Sequence, residues 1–249
     1  MRILLLGATG HLGSRLLPSL LHHSHTVIPF IRNPSALPAA VLPHLPEIEQ
    51  GDARSASSIK SAFTRHNCDA MINTAGYAAM SPWGKSALPD IVDAVIQAAV
   101  EIGNERGAPV RVWLLGGIGG LDIPGTGWMG VDYMRMFPEH RHTISQLESL
   151  PKSSVNWSLL CPGMMHALGE VTYPTVAGDA DHLVAAAGVP PDWGTRFLCV
   201  PLIGGYLNVF SQVGAYATAL EDNADFIARD LVKGEESEWL WKRVGTKRR

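Results

Sequence analysis

Met1-Arg2-Ile3-Leu4-Leu5-Leu6-Gly7-Ala8-Thr9-Gly10-His11-Leu12-Gly13 is the stretch from which the fold of this chain is read. Ile3 to Leu6 is a short unbroken apolar run, the pattern of a strand buried on both faces of a parallel sheet. Glycines follow at positions 7, 10 and 13, and then apolar residues at helical spacing: Leu12, Leu16, Leu17, Leu20 and Leu21. In such a strand–turn–helix unit each glycine has a physical task. Gly7 lets the chain turn off the strand, Gly10 keeps side-chain atoms away from an approaching pyrophosphate, and Gly13 lets the helix lie close on the strand. The helix N-terminus adds N–H groups without intrahelical partners and the positive end of its dipole. The spacing is G-x-x-G-x-x-G, not the G-x-G-x-x-G of the best-known dinucleotide fingerprint. It implies a pyrophosphate cradle and leaves the reaction open.

The remaining composition narrows the class. A length of 249 residues fits one large α/β domain, and 46% hydrophobic against 17% charged residues supplies a real core. The net charge of −3 speaks against a nucleic-acid partner, which would need a basic face. Ile3 to Leu6 already belongs to the first strand and no later apolar run has spanning length. We therefore expect no signal or transit peptide, no membrane partner and a cytoplasmic protein. Cys68, Cys161 and Cys199 are odd in number and scattered in strand-like contexts, which reads as reduced core thiols. His22, His23 and His25 cluster at the end of the first helix, away from the strand tips. Neither this cluster nor any H-E-x-x-H or C-x-x-C spacing leads us to expect a metal site. No G-x-S-x-G signature points to a serine hydrolase. Lys247-Arg248-Arg249 reads as a solvated basic tail.

Strand and helix signals alternate as in a doubly wound parallel sheet. The expected strands after the first are Thr26 to Ile31, Glu47 to Gln50, Cys68 to Asn73, Val110 to Leu115 and Val155 to Leu160. The expected helices include Ser55 to Arg65, capped by Ser55, a long one carrying Ile91, Val95, Ala98, Ala99 and Ile102 that ends near Gly107, and one around Thr143 to Leu150. Beyond Gly163 the pattern loosens around Pro174, Gly178, Pro190 and Pro191, with Arg196 to Val200 as a further strand and Asp222 to Leu231 as a helix. The expectation is one domain over residues 1–249, with 164–249 contributing a small substrate-side cap. Ligands of open α/β sheets bind outside the carboxyl ends of the strands. The tips at Gly7, Arg32, Asp52, Asn73, Gly116 and Pro162 should thus share one rim.

Read in order, these tips resemble the atypical short-chain dehydrogenase/reductases, in particular the NAD(P)H-binding, NmrA-like branch. The resemblance rests on Gly7-Ala8-Thr9-Gly10-His11-Leu12-Gly13, Arg32-Asn33-Pro34, Gln50-Gly51-Asp52-Ala53 and Trp157-Ser158-Leu159-Leu160-Cys161-Pro162-Gly163. The last echoes the W-T-x-x-R-P-G of that branch, with Cys161 in place of arginine. The resemblance is good to about Gly163 and weak beyond it. It implies a Rossmann-type fold in which Gly7, Thr9, Gly10, His11 and Leu12 wrap the pyrophosphate. It implies further that Asp52 and Ala53 touch the adenine, with a helix-capping turn as the other reading of Asp52, and that Asn73, Ala75 and Gly76 line the nicotinamide-side ribose. Gly116 and Pro162 would flank the nicotinamide. Arg32 stands where such folds choose between cofactors, and an arginine fits the 2′-phosphate of NADP(H).

The same resemblance fails at the chemistry. Short-chain reductases carry a serine after the fifth strand and a Tyr-x-x-x-Lys on the next helix. Here the tip reads Gly116-Gly117, Tyr133 is followed four residues on by Phe137, and His142 is preceded four residues earlier by Pro138. Tyr133 and His142 remain as proton donors, His142 as the acid or ribose anchor and Tyr133 as a hydrogen-bond donor to substrate. Gly119, Gly120, Gly125, Gly127 and Gly130 bracket Trp128, Met129, Tyr133, Met134, Met136 and Phe137, a glycine-hinged apolar flap. With Met164, Met165 and Trp193 it suggests a small apolar or aromatic substrate. The resulting expectation is an NADPH-dependent reductase of an apolar carbonyl or enone. The alternatives are an NADP(H)-binding regulator without turnover, and a non-redox isomerase or cyclase.

Overall fold

The computed structural model describes residues 1–77, 86–134, 139–171, 173 and 178–249. Met136, Phe137, Pro138 and Pro174 of the sequence reading lie outside the described residues. The first half contains β1 (Arg2–Leu6), α1 (Gly13–His22), β2 (Thr26–Ile31), β3 (Glu49–Gln50), α2 (Ala56–Arg65), β4 (Ala70–Asn73), α3 (Leu88–Arg106) and β5 (Val110–Leu115). A small hairpin, β6 (Asp122–Ile123) and β7 (Trp128–Met129), leads into α4 (Gly130–Met134), α5 (Glu139–Ser149) and β8 (Val155–Cys161). The chain closes with β9 (Met165–His166), β10 (Leu183–Ala187), α6 (Gly204–Gln212), β11 (Thr218–Ala219), α7 (Leu220–Lys233) and β12 (Lys242–Arg248).

Eight strands form one sheet in the order β10-β12-β8-β5-β4-β1-β2-β3. Every neighbouring pair is parallel except β10 with β12. The chain leaves β1 toward β2 and β3, then returns to β4 on the other side, so the order reverses between β1 and β4. Alternation along β1 explains the two layers. Ile3 and Leu5 pack in one buried cluster with Leu16, Leu17 and Leu20 of α1 and Ala224 and Ile227 of α7. Leu4 and Leu6 pack in the other with Ile59 of α2 and Val95 and Ala99 of α3. A strand covered on both faces reads as an unbroken apolar run, as Ile3 to Leu6 does.

Local chemistry sets the helix ends. Ser55 Oγ accepts the Ser58 amide at 3.3 Å and starts α2. Gly107, at φ +65°, closes α3. Inside α1, Pro18 cannot donate to the carbonyl of Ser14. That carbonyl instead accepts the Tyr173 hydroxyl at 3.2 Å, which ties the segment after β9 to the first helix. The histidines at the end of α1 also serve the packing. His25 is buried with Nε2 3.1 Å from the Ala228 carbonyl, and His23 meets Asp225 at 2.8 Å, both on α7.

Three expectations are corrected. Arg196 to Val200 is not a strand: Leu198 donates to Thr195 and Val200 to Phe197, which coils the segment into turns before α6. The strands this part of the chain does add to the sheet are β10 and β12, and α7 packs in one of the layers beside them. The basic end is solvated but is not a tail: Lys247 and Arg248 belong to β12 and pair with Val184 and Leu183 of β10, while Arg248 and Arg249 stay exposed. The third correction is Cys199, which is exposed while Cys68 and Cys161 are buried. Among the described residues, no helix is long and apolar enough to cross a membrane.

Candidate functional site

The glycine loop is shaped by its neighbours. Gly7 adopts φ +82°, and a Cβ there would lie 2.5 Å from the Ala75 nitrogen. A Cβ on Gly13 would lie 2.1 Å from the Gly7 carbonyl oxygen and 2.7 Å from Thr74 Oγ1, so α1 and the tip of β4 close on the loop from both sides. Gly10 differs. Its amide donates to the Gly7 carbonyl at 2.9 Å, and an added Cβ would meet only Gly7 O at 3.3 Å and Thr74 O at 4.0 Å. Its outer side is open. The first turn of α1 holds no acidic residue and no side chain caps its amides, which leaves the positive helix end facing the opening.

A pocket of about 240 Å³ opens at this point. Gly7, Thr9 and Gly10 form one wall, and Ala75 and Gly76 of the β4 tip another. Arg32, Asn33 and Ala53 line it from the β2 and β3 tips. Six of the expected cofactor residues do not line it; Gly116 and Pro162 line a second cavity, and the other four lie as follows. His11 is exposed, with its carbonyl accepting Ser14 Oγ and Arg15 Nη1. Leu12 is buried in the α1 core. Asn73 is buried and its Oδ1 accepts the Ala75 amide at 3.1 Å, which fixes the turn that carries Ala75 and Gly76. Asp52 sits in the turn just ahead of the Ser55 cap: its carboxylate accepts the Arg54 amide and guanidinium, and these bonds hold its pKa down at about 2.

The other end of the rim is apolar. A cavity of about 530 Å³ sits at the tips of β5 and β8, walled by Gly116, Gly117, Ile118 and Gly119 on one side and by Pro162, Gly163 and Met165 on the other. Val131 and Met134 of α4, and Val213, Gly214 and Ala217 after α6, complete it. Met164 and Phe210, 81% and 59% exposed, line it as well and mark its opening to solvent. The two tips are locked together, Gly116 N donating to Leu160 O and Ile118 N to Pro162 O, each at 2.7 Å. Beneath them Cys161 is fully enclosed, and burial pushes its thiol up to about 12.

The two expected proton donors lie elsewhere. Tyr133 is buried in aromatic packing, its ring 5.3 Å from Trp128 and 5.2 Å from Tyr206, and it does not line the cavity. His142 is exposed, with Nε2 3.7 Å from Asp93 of α3. The histidine that reaches the cavity is His140. A Cβ on Gly117 would lie 3.0 Å from its Nε2, and burial lowers its pKa. Helical periodicity carries this signal: His140, Ile144 and Leu147 are the buried stripe of α5, and His142 is two residues off it. Trp193 packs on Tyr216 and is likewise outside the cavity lining. Among the described residues, no group of three or more His, Cys, Asp or Glu side chains could hold a metal ion.

A doubly wound sheet with a glycine-shaped loop at the strand-order reversal defines a dinucleotide-binding protein. The sequence matches the NAD(P)H-binding family over residues 7–187, and the chain belongs to that family, whose cofactor is a nicotinamide dinucleotide. No curated protein matches the sequence. Solved structures share the fold. An oxidoreductase from Lactococcus lactis is 18% identical, with a TM-score of 0.64 over 100% of this chain and 91% of its own. An anaerobillin reductase from Escherichia coli O157:H7 is 16% identical, with a TM-score of 0.61 over 100% and 97%. A protein from Burkholderia pseudomallei is 20% identical, with a TM-score of 0.65 over 99% of both chains.

Proposed function

We propose that this protein is an NADP(H)-dependent reductase of a small, largely apolar carbonyl or enone, of the NmrA-like kind and cytoplasmic. The observation that carries the reading is the layout of the rim: the arginine-edged pocket opens over β1, β2 and β4, and the apolar cavity over the adjacent β5 and β8. The glycine loop fits a pyrophosphate, since the added Cβ atoms at Gly7 and Gly13 collide with backbone while the outer side of Gly10 stays open. Arg32 offers a planar, permanently charged fork to a 2′-phosphate, and Asn33 stands beside it. The nicotinamide cofactor, when bound, supplies a hydride. Gly7, Thr9 and Gly10 would hold its phosphates, Ala75 and Gly76 would carry its ribose, and the tips at Gly116 and Pro162 would flank its reacting end. The names of two structural relatives, an oxidoreductase and a reductase, support a redox reading. Three free thiols agree with a reducing compartment.

One observation favours a second reading, an NADP(H)-binding regulator. The β5 tip offers Gly116-Gly117 where a hydroxyl would be needed, and neither Tyr133 nor His142 lines the cavity. Following NADPH absorbance against a panel of quinones, enones and aldehydes separates the two. Turnover of any member establishes the reductase. Tight NADPH binding with no turnover, together with a specifically captured protein partner, would establish the regulator.

A further inference from the structure

We propose that the outer face of α6 is the contact surface for a second copy of this chain, and that the partner closes the mouth of the apolar cavity. The inference depends on the cavity and not on the reaction carried out in it. The inner side of α6 packs on the domain: Val209 is buried, and a Cβ on Gly205 would lie 2.6 Å from the Tyr133 hydroxyl of α4. Its outer side carries Ile203, Tyr206, Leu207 and Phe210 at i, i+3, i+4 and i+7, and all four are exposed. A solvent-facing stripe would ordinarily carry charge. Here Phe197 to Leu220 holds no charged residue at all. Leu202, just ahead of the helix, is 99% exposed and stands at φ +65° in a turn closed by Ile203 N donating to Pro201 O at 2.7 Å. A turn of this kind is rare and strained, and it holds a leucine fully in water.

The extent of the patch fits a dimer. With Leu202 and Met164 the stripe exposes about 750 Å² of apolar surface, taking about 200 Å² for a large side chain. A standard interface takes about 800 Å² from each partner, and homodimer interfaces are the more apolar ones. The lack of charge decides the occupant. A two-fold axis sets the same patch on both sides, so a charged patch would bring like charges together, whereas this one is its own complement. A lipid surface fits less well: interfacial helices carry lysine and arginine beside the apolar face, and this segment offers neither in a chain of net charge −3. Met164 and Phe210 line the cavity at its opening, so a partner seated on the stripe covers that opening and keeps water from an apolar ligand. The cavity is complete only in the pair.

Sedimentation velocity of the full chain at micromolar concentrations tests the proposal, together with hydrogen peroxide oxidation of Met164 read by peptide mass spectrometry. Wild-type protein should sediment as a dimer, at twice 26.8 kDa, and Met164 should oxidise several-fold more slowly in the dimer than on dilution to the monomer. Leu202→Glu and Leu207→Glu, neither of which lines the cavity, should each weaken the dimer by about 30-fold or more and restore fast oxidation of Met164. Both positions are exposed, and circular dichroism confirms that the variants are folded. A monomeric wild type overturns the proposal, and flotation of that monomer with phosphatidylcholine vesicles would assign the face to lipid instead. A dimer whose affinity neither variant changes, or in which Met164 oxidises at the monomer rate, places the contact elsewhere and overturns it as well.

Discussion

Gly10→Ala separates a loop shaped for a ligand from a loop shaped only for the fold. Gly10 has no positive φ, so alanine meets no backbone strain there, and its methyl group would touch only the Gly7 carbonyl at 3.3 Å and Thr74 O at 4.0 Å. The neighbour has to give by a few tenths of an ångström, which puts the cost to the folded protein below about 1 kcal/mol, at the low end of overpacking. The same methyl projects toward the pocket it lines, where a pyrophosphate would approach the backbone. Forcing the phosphates outward should cost about 1–3 kcal/mol of binding, or about 5- to 150-fold in Kd. Gly13→Ala is the contrasting case, because its Cβ would stand 2.1 Å from the Gly7 carbonyl oxygen and 2.8 Å from its carbon. Backbone has to move there, so stability and binding fall together. Thermal unfolding and calorimetric titration of NADPH on both variants read out the two effects. Wild-type NADPH affinity in folded Gly10→Ala would refute the placement of the pyrophosphate.

Other expectations follow from the buried polar groups. Asp230 accepts bonds from Arg111 Nη2, Trp113 Nε1 and Ser237 Oγ at 2.7, 3.0 and 2.6 Å, so Asp230→Ala leaves a buried guanidinium without its carboxylate. It should cost about 3–5 kcal/mol, or roughly 6–20 °C in Tm, and a melt within 2 °C of wild type would count against it. Under native conditions iodoacetamide should label the exposed Cys199 and spare Cys68 and Cys161, whose thiols burial raises to about 12; peptide mass spectrometry showing equal labelling would contradict this. His25 is held neutral by burial, with its folded-state pKa below the ordinary 6.5. Its contribution is therefore complete above pH 6.5 and is lost as pH falls through the lower folded value, because the unfolded chain takes up the proton first. Urea midpoints at pH 7.5 and 5.5 should differ less in His25→Gln than in wild type, and an unchanged difference would refute that role.

What could be read from the sequence was what is written locally. The strand at Ile3 to Leu6, the glycine turn and α1 are consecutive, so the grouping of Gly7, Thr9, Gly10, Arg32, Ala75 and Gly76 around one pocket was legible in the sequence, whereas His11, Leu12, Asp52 and Asn73 were expected there and do not line it. The apolar cavity was not legible, because its walls come from the tips of β5 and β8, from α4 and α5 and from the end of α6. The choice between two histidines shows the difference. His142 suited an alignment with a missing lysine, whereas His140 shares the 3.6-residue stripe with Ile144 and Leu147 and so faces inward. β12 was hidden because Lys242, Arg243, Lys247 and Arg248 surround a three-residue buried centre. Arg196 to Val200 misled in the opposite sense, since a short apolar run reads alike in a strand and in a turn packed over an interior.

The dinucleotide the pocket prefers is the central question. Calorimetric titration of wild-type protein and Arg32→Ala with NADPH and NADH tests it. The wild type should bind NADPH more tightly than NADH, by about 10- to 150-fold for charge-assisted hydrogen bonds to one phosphate. In Arg32→Ala that preference should collapse while NADH affinity holds. Tighter binding of NADH, or an Arg32→Ala variant that keeps its full affinity for NADPH, would contradict it.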